Sequence, residues 1–187
     1  MRNRKIWFGT NNKGKLEEVK AILKPYKITT EHLPMDKVEI QAETLEEVVR
    51  YCLDTLEFKN PLVIEDSGLF IESLNGFPGP YSRYVLDTIN LPGILKLLKE
   101  VENRVACFRS VIGFKKDSTI QVFKGCTQGK IAFEERGFYG FGYDPIFIPD
   151  EEPSEKTFGE LTLNNKNSFS HRAKSFKNFA EWLTSDY

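Results

Sequence analysis

The sequence predicts a mixed α/β fold, a long curved sheet with helices at its flanks. Three observations predict it: strand and helix periodicities alternate early, the middle of the chain is mostly strand, and helical spacing returns at the end. The chain has 187 residues, enough for one well-packed domain of at most two small lobes.

Residues 5–10 read as a strand entering a polar turn. Residues 13–24 follow as a helix, with Leu16, Val19 and Leu23 on one face and Pro25 ending it. Thr44 caps a second helix, with Glu47 at the capping-box spacing. Its apolar stripe is Leu45, Val48, Val49, Cys52, Leu53 and Leu56. Residues 61–65 are a short buried-type strand, because Leu62, Val63 and Ile64 run together. Asp66-Ser67-Gly68 reads as a turn that separates it from another strand over 69–74. Residues 75–80, rich in Gly and Pro, form a loop. Residues 91–101 are helical, with Pro92 tolerated in the first turn. Long strands over 104–114 and 119–131 flank the turn Lys116-Asp117-Ser118. A glycine-dense loop covers 137–142. A last helix spans 172–183, with Ala173, Phe176, Ala180 and Leu183 on one side.

Composition excludes several classes of function. The 26 basic and 27 acidic residues nearly cancel, so no global positive excess is present to bind nucleic acid. The longest unbroken apolar run is four residues, 105–108, where a membrane span needs about 20. The basic start (Arg2, Arg4, Lys5) is followed only by Ile6, Trp7 and Phe8, too short for a secretory signal. Cys52, Cys107 and Cys126 are odd in number and far apart, which fits reduced thiols in a cytoplasmic protein better than a disulfide framework. With two histidines and no close cysteine pair, no structural zinc site is expected.

Four segments could carry chemistry. The first, Gly9-Thr10-Asn11-Asn12-Lys13-Gly14-Lys15-Leu16, sits where a strand passes into a helix. Free N–H groups and the positive dipole end there favour phosphate, and Lys13 and Lys15 add charge. The spacing matches G-x-x-x-x-G-K, but Leu16 stands where a P-loop has Ser or Thr. The same residues read equally as a capped helix start with solvated lysines.

The second is Glu65-Asp66-Ser67-Gly68, two acids directly after an apolar strand. Neighbours on a strand point oppositely, so both acids share a site only if the chain turns, which Gly68 allows. Carboxylates with substrate phosphates are what Mg²⁺ takes; a surface Asx-turn is the alternative. Glu39, in Val38-Glu39-Ile40-Gln41, and Glu43 are further candidate metal ligands that read equally as solvated charges.

The third is Gly137-Phe138-Tyr139-Gly140-Phe141-Gly142-Tyr143-Asp144-Pro145. Four aromatics among glycines suit a flat ring such as a nucleobase, or a core-packing turn, with Asp144 contacting a base or anchoring the loop. The fourth is Lys166 with Ser170-His171-Arg172, cations suited to phosphate or base oxygens, or a capped helix start.

In this order and spacing, five motifs resemble those of the inosine triphosphate pyrophosphatase family (the Ham1-like nucleoside triphosphate pyrophosphatases). They are Thr10-Asn11-Asn12-Lys13-Gly14-Lys15, Glu65-Asp66-Ser67-Gly68-Leu69, the run from Leu74 to Tyr84, Phe141-Gly142-Tyr143-Asp144-Pro145 and Ser170-His171-Arg172. The resemblance spans residues 6 to about 183. It implies an elongated mixed sheet between two α/β lobes of a single domain, with an active cleft between them, and a homodimer. It implies dependence on magnesium, with manganese as its substitute. The implied reaction is hydrolysis of ITP, dITP or XTP to monophosphate and pyrophosphate.

By the same resemblance, Thr10, Asn11, Asn12, Lys13, Gly14 and Lys15 bind the triphosphate. Asp66 is the catalytic acid/base or a metal ligand, Ser67 contacts substrate, and Glu39 is a second metal ligand. Phe141, Gly142, Tyr143, Asp144, Lys166, His171 and Arg172 hold base and sugar, and Arg83 stands at a basic phosphate contact of some relatives. Two positions depart from the pattern: Tyr51 where some relatives have Lys, with Arg50 beside it, and Glu65 where many bacterial relatives have a second Asp. A nucleotide sensor without catalysis and a pyrophosphatase for other modified nucleotides are the competing readings.

Overall fold

The computed structural model describes residues 4–36 and 40–185. Among them, six strands form one sheet in the order β2-β1-β3-β4-β5-β6. The strands are β1 (Arg4–Gly9), β2 (Ile28–Leu33), β3 (Leu62–Ile71), β4 (Val105–Lys116), β5 (Thr119–Ile131) and β6 (Phe147–Pro149). The helices are α1 (Lys13–Leu23), α2 (Leu45–Thr55), α3 (Ser82–Thr88), α4 (Asn90–Leu97), α5 (Leu163–Phe169) and α6 (His171–Ser185). β1 runs parallel to both β2 and β3, while β5 and β6 are antiparallel. The mixed α/β sheet expected from the sequence is therefore present. No helix among the described residues is long and apolar enough to cross a membrane.

The chain divides into two compact units. The first comprises Met1–Asp66, Ser110–Gly125 and His171–Tyr187; the second comprises Ser67–Arg109 and Cys126–Ser170. The first unit's core is built by the apolar faces of α1 and α6. Val19, Ile22 and Leu23 from α1 join Phe176, Phe179 and Ala180 from α6 around Ile6, Phe8 and Val63. Phe8 and Phe176 meet edge to face with centroids 5.7 Å apart, and each buried phenylalanine contributes roughly 1.5–3 kcal/mol of transfer free energy. α2 is held by the expected capping box: Thr44 Oγ1 accepts from Glu47 N–H, and the Glu47 side chain accepts from Thr44 N–H.

The second unit's core gathers Leu69, Ile71, Val85, Leu91, Ile94 and Phe108 with Phe147 and Phe158. Arg104, buried here, donates to three carbonyls, those of Leu98, Ile131 and Ala132. Arg104→Ala strands those acceptors and is expected to cost at least about 2 kcal/mol; a denaturant midpoint unchanged from the parent protein would contradict this.

Several expectations need correcting. Asp66-Ser67-Gly68 does not turn: β3 runs unbroken from Leu62 to Ile71. Leu69 N–H donates to Ser82 Oγ, which donates to the Gly79 carbonyl, so the backbone is satisfied without a turn and the polar trio stays extended. The helix expected over 91–101 is the shorter α4, ended by a turn over 98–100. Cys107 and Cys126 are disulfide-bonded across β4 and β5, with Cα atoms 6.5 Å apart. The expectation of three reduced thiols is thus overturned for these two, because strand pairing brings together positions distant in sequence. Cys52 is buried on the core face of α2.

Candidate active site

In the first unit the site grows from the carboxyl end of β1. Gly9 pairs with Ile64 in the parallel ladder, so Thr10 and the start of α1 emerge beside the point where β3 reaches Glu65 and Asp66. Asn12 caps α1 by accepting from Lys15 N–H at 3.0 Å, and Thr10 Oγ1 accepts from Asn12 N–H at 3.1 Å. Thr10 N–H donates to the Leu33 carbonyl. His32 on β2 places Nε2 2.7 Å from the Thr10 carbonyl oxygen, so Nε2 carries the proton. Asn11 donates to Asp36 at 2.6 Å, and Lys13 is exposed. The loop is held from three sides while α1 offers its positive end outward.

Behind that loop lies a buried charge cluster. Glu65 takes Lys15 Nζ at 2.7 Å and Arg172 Nη2 at 3.1 Å. Arg172 Nη1 also reaches Glu18 on α1. Gly125 permits this arrangement, because a Cβ there would collide with the His171 carbonyl and Ser175 nitrogen in the first turn of α6. The strand's alternation sends Asp66, half-buried, to the opposite face from Glu65. The two acids therefore do not form a carboxylate pair.

In the second unit, Asp144 is the organising acid. It is 2 % exposed, accepts from Phe141 N–H at 2.7 Å and holds Lys166 Nζ at 2.6 Å. Lys166, itself buried, lies 5.0 Å from the Phe141 ring and 5.2 Å from the Phe158 ring, both cation–π distances. Gly140 has φ +73, and a Cβ there would strike the Asp144 carboxylate. Tyr143 donates to the Ser82 carbonyl at 2.8 Å. Burial, and to a lesser extent Asp87, pushes its phenol well above the ordinary value.

This motif order runs through the whole chain, and residues 6–182 match the Ham1 family. The chain belongs to the Ham1 family. It is 54% identical to the dITP/XTP pyrophosphatase of Pyrococcus horikoshii over 181 residues, 96% of each chain. It is 51% identical to the dITP/XTP pyrophosphatase of Methanopyrus kandleri, over 95% of each. The fold is similar to that of the Staphylococcus aureus Ham1 protein, with TM-score 0.82 at 28% identity over 98% of this chain and 100% of that one. A Ham1 protein from Coxiella burnetii aligns with TM-score 0.77 at 29% identity, over 97% of this chain and 98% of that one.

Two groups of candidate residues are thus brought together in this Ham1 protein: Lys15 with Arg172, through Glu65, and Phe141 with Asp144 and Lys166. Asp66 follows Glu65 on the other face of β3. Tyr143 belongs to the core instead of facing outward. Arg83 is exposed on α3 and pairs with Asp87 at 2.7 Å. His171 is buried at the start of α6. Glu39 lies outside the described residues. Sequence reasoning missed Glu18, Ser110 and His32; only His32, one of two histidines, carried a compositional signal.

Among the described residues, no three His, Cys, Asp or Glu side chains gather closely enough to hold a metal ion. Asp66 is a hard oxygen donor at the carboxyl end of the parallel strands. Magnesium is typically bound through one or two carboxylates plus substrate phosphates, and Asp66 supplies one such carboxylate.

Proposed function

We propose that this Ham1 protein hydrolyses non-canonical purine nucleoside triphosphates (ITP, dITP and XTP) to the monophosphate and pyrophosphate, acting as a cytoplasmic homodimer. The observation that supports the reading is the β1–β3 register, in which Gly9 pairs with Ile64, so the capped, cationic start of α1 and the Glu65–Asp66 step of β3 both follow directly from paired positions. The dITP/XTP pyrophosphatase names of relatives at 54% and 51% identity support it.

Thr10, Asn11, Asn12, Lys13, Gly14 and Lys15 bind the triphosphate through N–H groups and ammonium charge. Asp66 orients a water toward the α-phosphorus and takes its proton. The new bond joins water oxygen to the α-phosphorus, and the bond from that phosphorus to the bridging oxygen breaks. Pyrophosphate leaves toward the lysines. Asp66 and Glu39 would hold magnesium, or manganese in its place, and the bound ion supplies charge neutralisation of the phosphate oxygens. Ser67 and Arg83 contact substrate. Phe141, Gly142, Asp144, Lys166, His171 and Arg172 hold base and sugar, with the Phe141 ring stacking on the base and Tyr143 anchoring their loop from the core.

Arg172 supplies a donor that suits the 6-keto oxygen of hypoxanthine and xanthine. Adenine presents an amino donor there, and an unsatisfied buried polar group costs about 1–3 kcal/mol. Pyrophosphate release from ITP, dITP, XTP, GTP and ATP, with and without magnesium, tests this. ITP and XTP are expected to exceed ATP by about tenfold or more, with no turnover after chelation. Equal rates on ITP and ATP contradict the selectivity; saturable ITP binding without release indicates a sensor.

A further inference from the structure

Glu65 is a charged side chain with no exposed surface, and the proposed chemistry gives it no role. Its carboxylate is where three elements meet. One oxygen lies 2.7 Å from Lys15 Nζ of α1. The other accepts from Arg172 Nη2 of α6 at 3.1 Å and from Ser110 Oγ of β4 at 3.0 Å. Ser110 Oγ lies 2.9 Å from Ser175 Oγ of α6, and Arg172 also reaches Glu18. Lys15 and Arg172 against Glu65 and Glu18 balance in charge. Two cations this close in a low-dielectric interior repel strongly; the shared carboxylate cancels that repulsion and fixes where each head lies.

We propose that Glu65 is a positioning residue and not a metal ligand. Its two oxygens hold Lys15 for the phosphates and Arg172 for the base, so one buried acid sets both phosphate affinity and base discrimination. This rests on the reading of Lys15 and Arg172 as substrate contacts. A metal ion on Glu65 would have to displace Lys15, which already occupies one oxygen at ion-pair distance.

Glu65→Gln keeps the shape and removes the charge. Calorimetry with ITP in the absence of magnesium is expected to show affinity about tenfold weaker or worse. KM should rise by a similar factor, kcat should fall less, and the ITP-to-ATP rate ratio should move toward one. The magnesium concentration for half-maximal rate should stay that of the parent protein. A raised magnesium requirement with unchanged magnesium-free affinity would make Glu65 a metal ligand and overturn the proposal. Unchanged affinity and selectivity would overturn it too. If Glu65→Gln does not fold, Ser110→Ala carries the test, because it removes a neutral donor to the same oxygen that holds Arg172. It should weaken magnesium-free ITP binding about threefold and lower the ITP-to-ATP ratio; no change in either overturns the proposal. Lys15→Ala separates the two layers. If it leaves magnesium-free ITP affinity intact, the reading of Lys15 fails and the proposal with it. If it weakens affinity while Glu65→Gln does not, only the positioning role fails.

Discussion

Asp66→Asn is expected to lower turnover on ITP by at least about 100-fold, the lower end of what a general base contributes. The substitution is nearly isosteric, and Asp66 is half-buried on β3 instead of sitting in a core, so the fold should survive. The change removes one negative charge and the capacity to take a proton. In the proposed mechanism both losses act on the reacting centre, at the point where the β1–β3 register brings β3 past the end of β1. ITP affinity should fall much less than turnover, because the N–H groups of α1 and its lysines are untouched. A thermal melt matching the parent protein, combined with the rate loss, is the expected pair of results. A folded variant with near-normal turnover would remove Asp66 from the chemistry.

Asp144→Ala is expected to be the most destabilising single change discussed. Lys166 and Asp144 are 2% and 3% exposed at their side chains and 2.6 Å apart. Removing one partner of such a buried pair typically costs about 3–5 kcal/mol, because the other charge stays behind in a poorly solvating interior. The loop suffers as well, since Phe141 N–H loses its acceptor. At about 2–4 °C per kcal/mol for a chain of this size, the melting temperature should fall by roughly 10 °C. Adding Lys166→Met to Asp144→Ala removes the stranded charge and should recover much of the loss, since apolar replacement of both partners is often close to neutral. A single-variant cost under about 1 kcal/mol would show that the pair is effectively solvated.

The elements legible in the sequence are those whose signals are local. α1 and α2 announce themselves by caps and apolar stripes, and the β4–β5 hairpin by two long runs around Asp117 and Ser118. α3 and α5 are seven residues each, too short for a periodic stripe to stand out. β3 misled because Asp, Ser and Gly favour turns in isolation, while here Ser82, thirteen positions away, supplies the partner that keeps the strand extended. The aromatic loop was readable as a unit, but the burial of Tyr143 depends on Ser82 and Phe108, which lie far off in sequence. The charge cluster was the least visible part. Arg172 and Glu18 are 154 residues apart and Arg172 and Glu65 are 107 apart, and no spacing rule connects them. Motif order singled out candidate residues; only the fold showed that Glu65 joins Lys15 to Arg172.

Hydrolysis of ITP in ¹⁸O-labelled water tests the central claim most directly, because it reports which phosphorus the water attacks. Attack at the α-phosphorus places the label in inosine monophosphate and leaves the pyrophosphate unlabelled, which is the result expected here. Label in pyrophosphate, or products of inosine diphosphate and inorganic phosphate, would contradict the account.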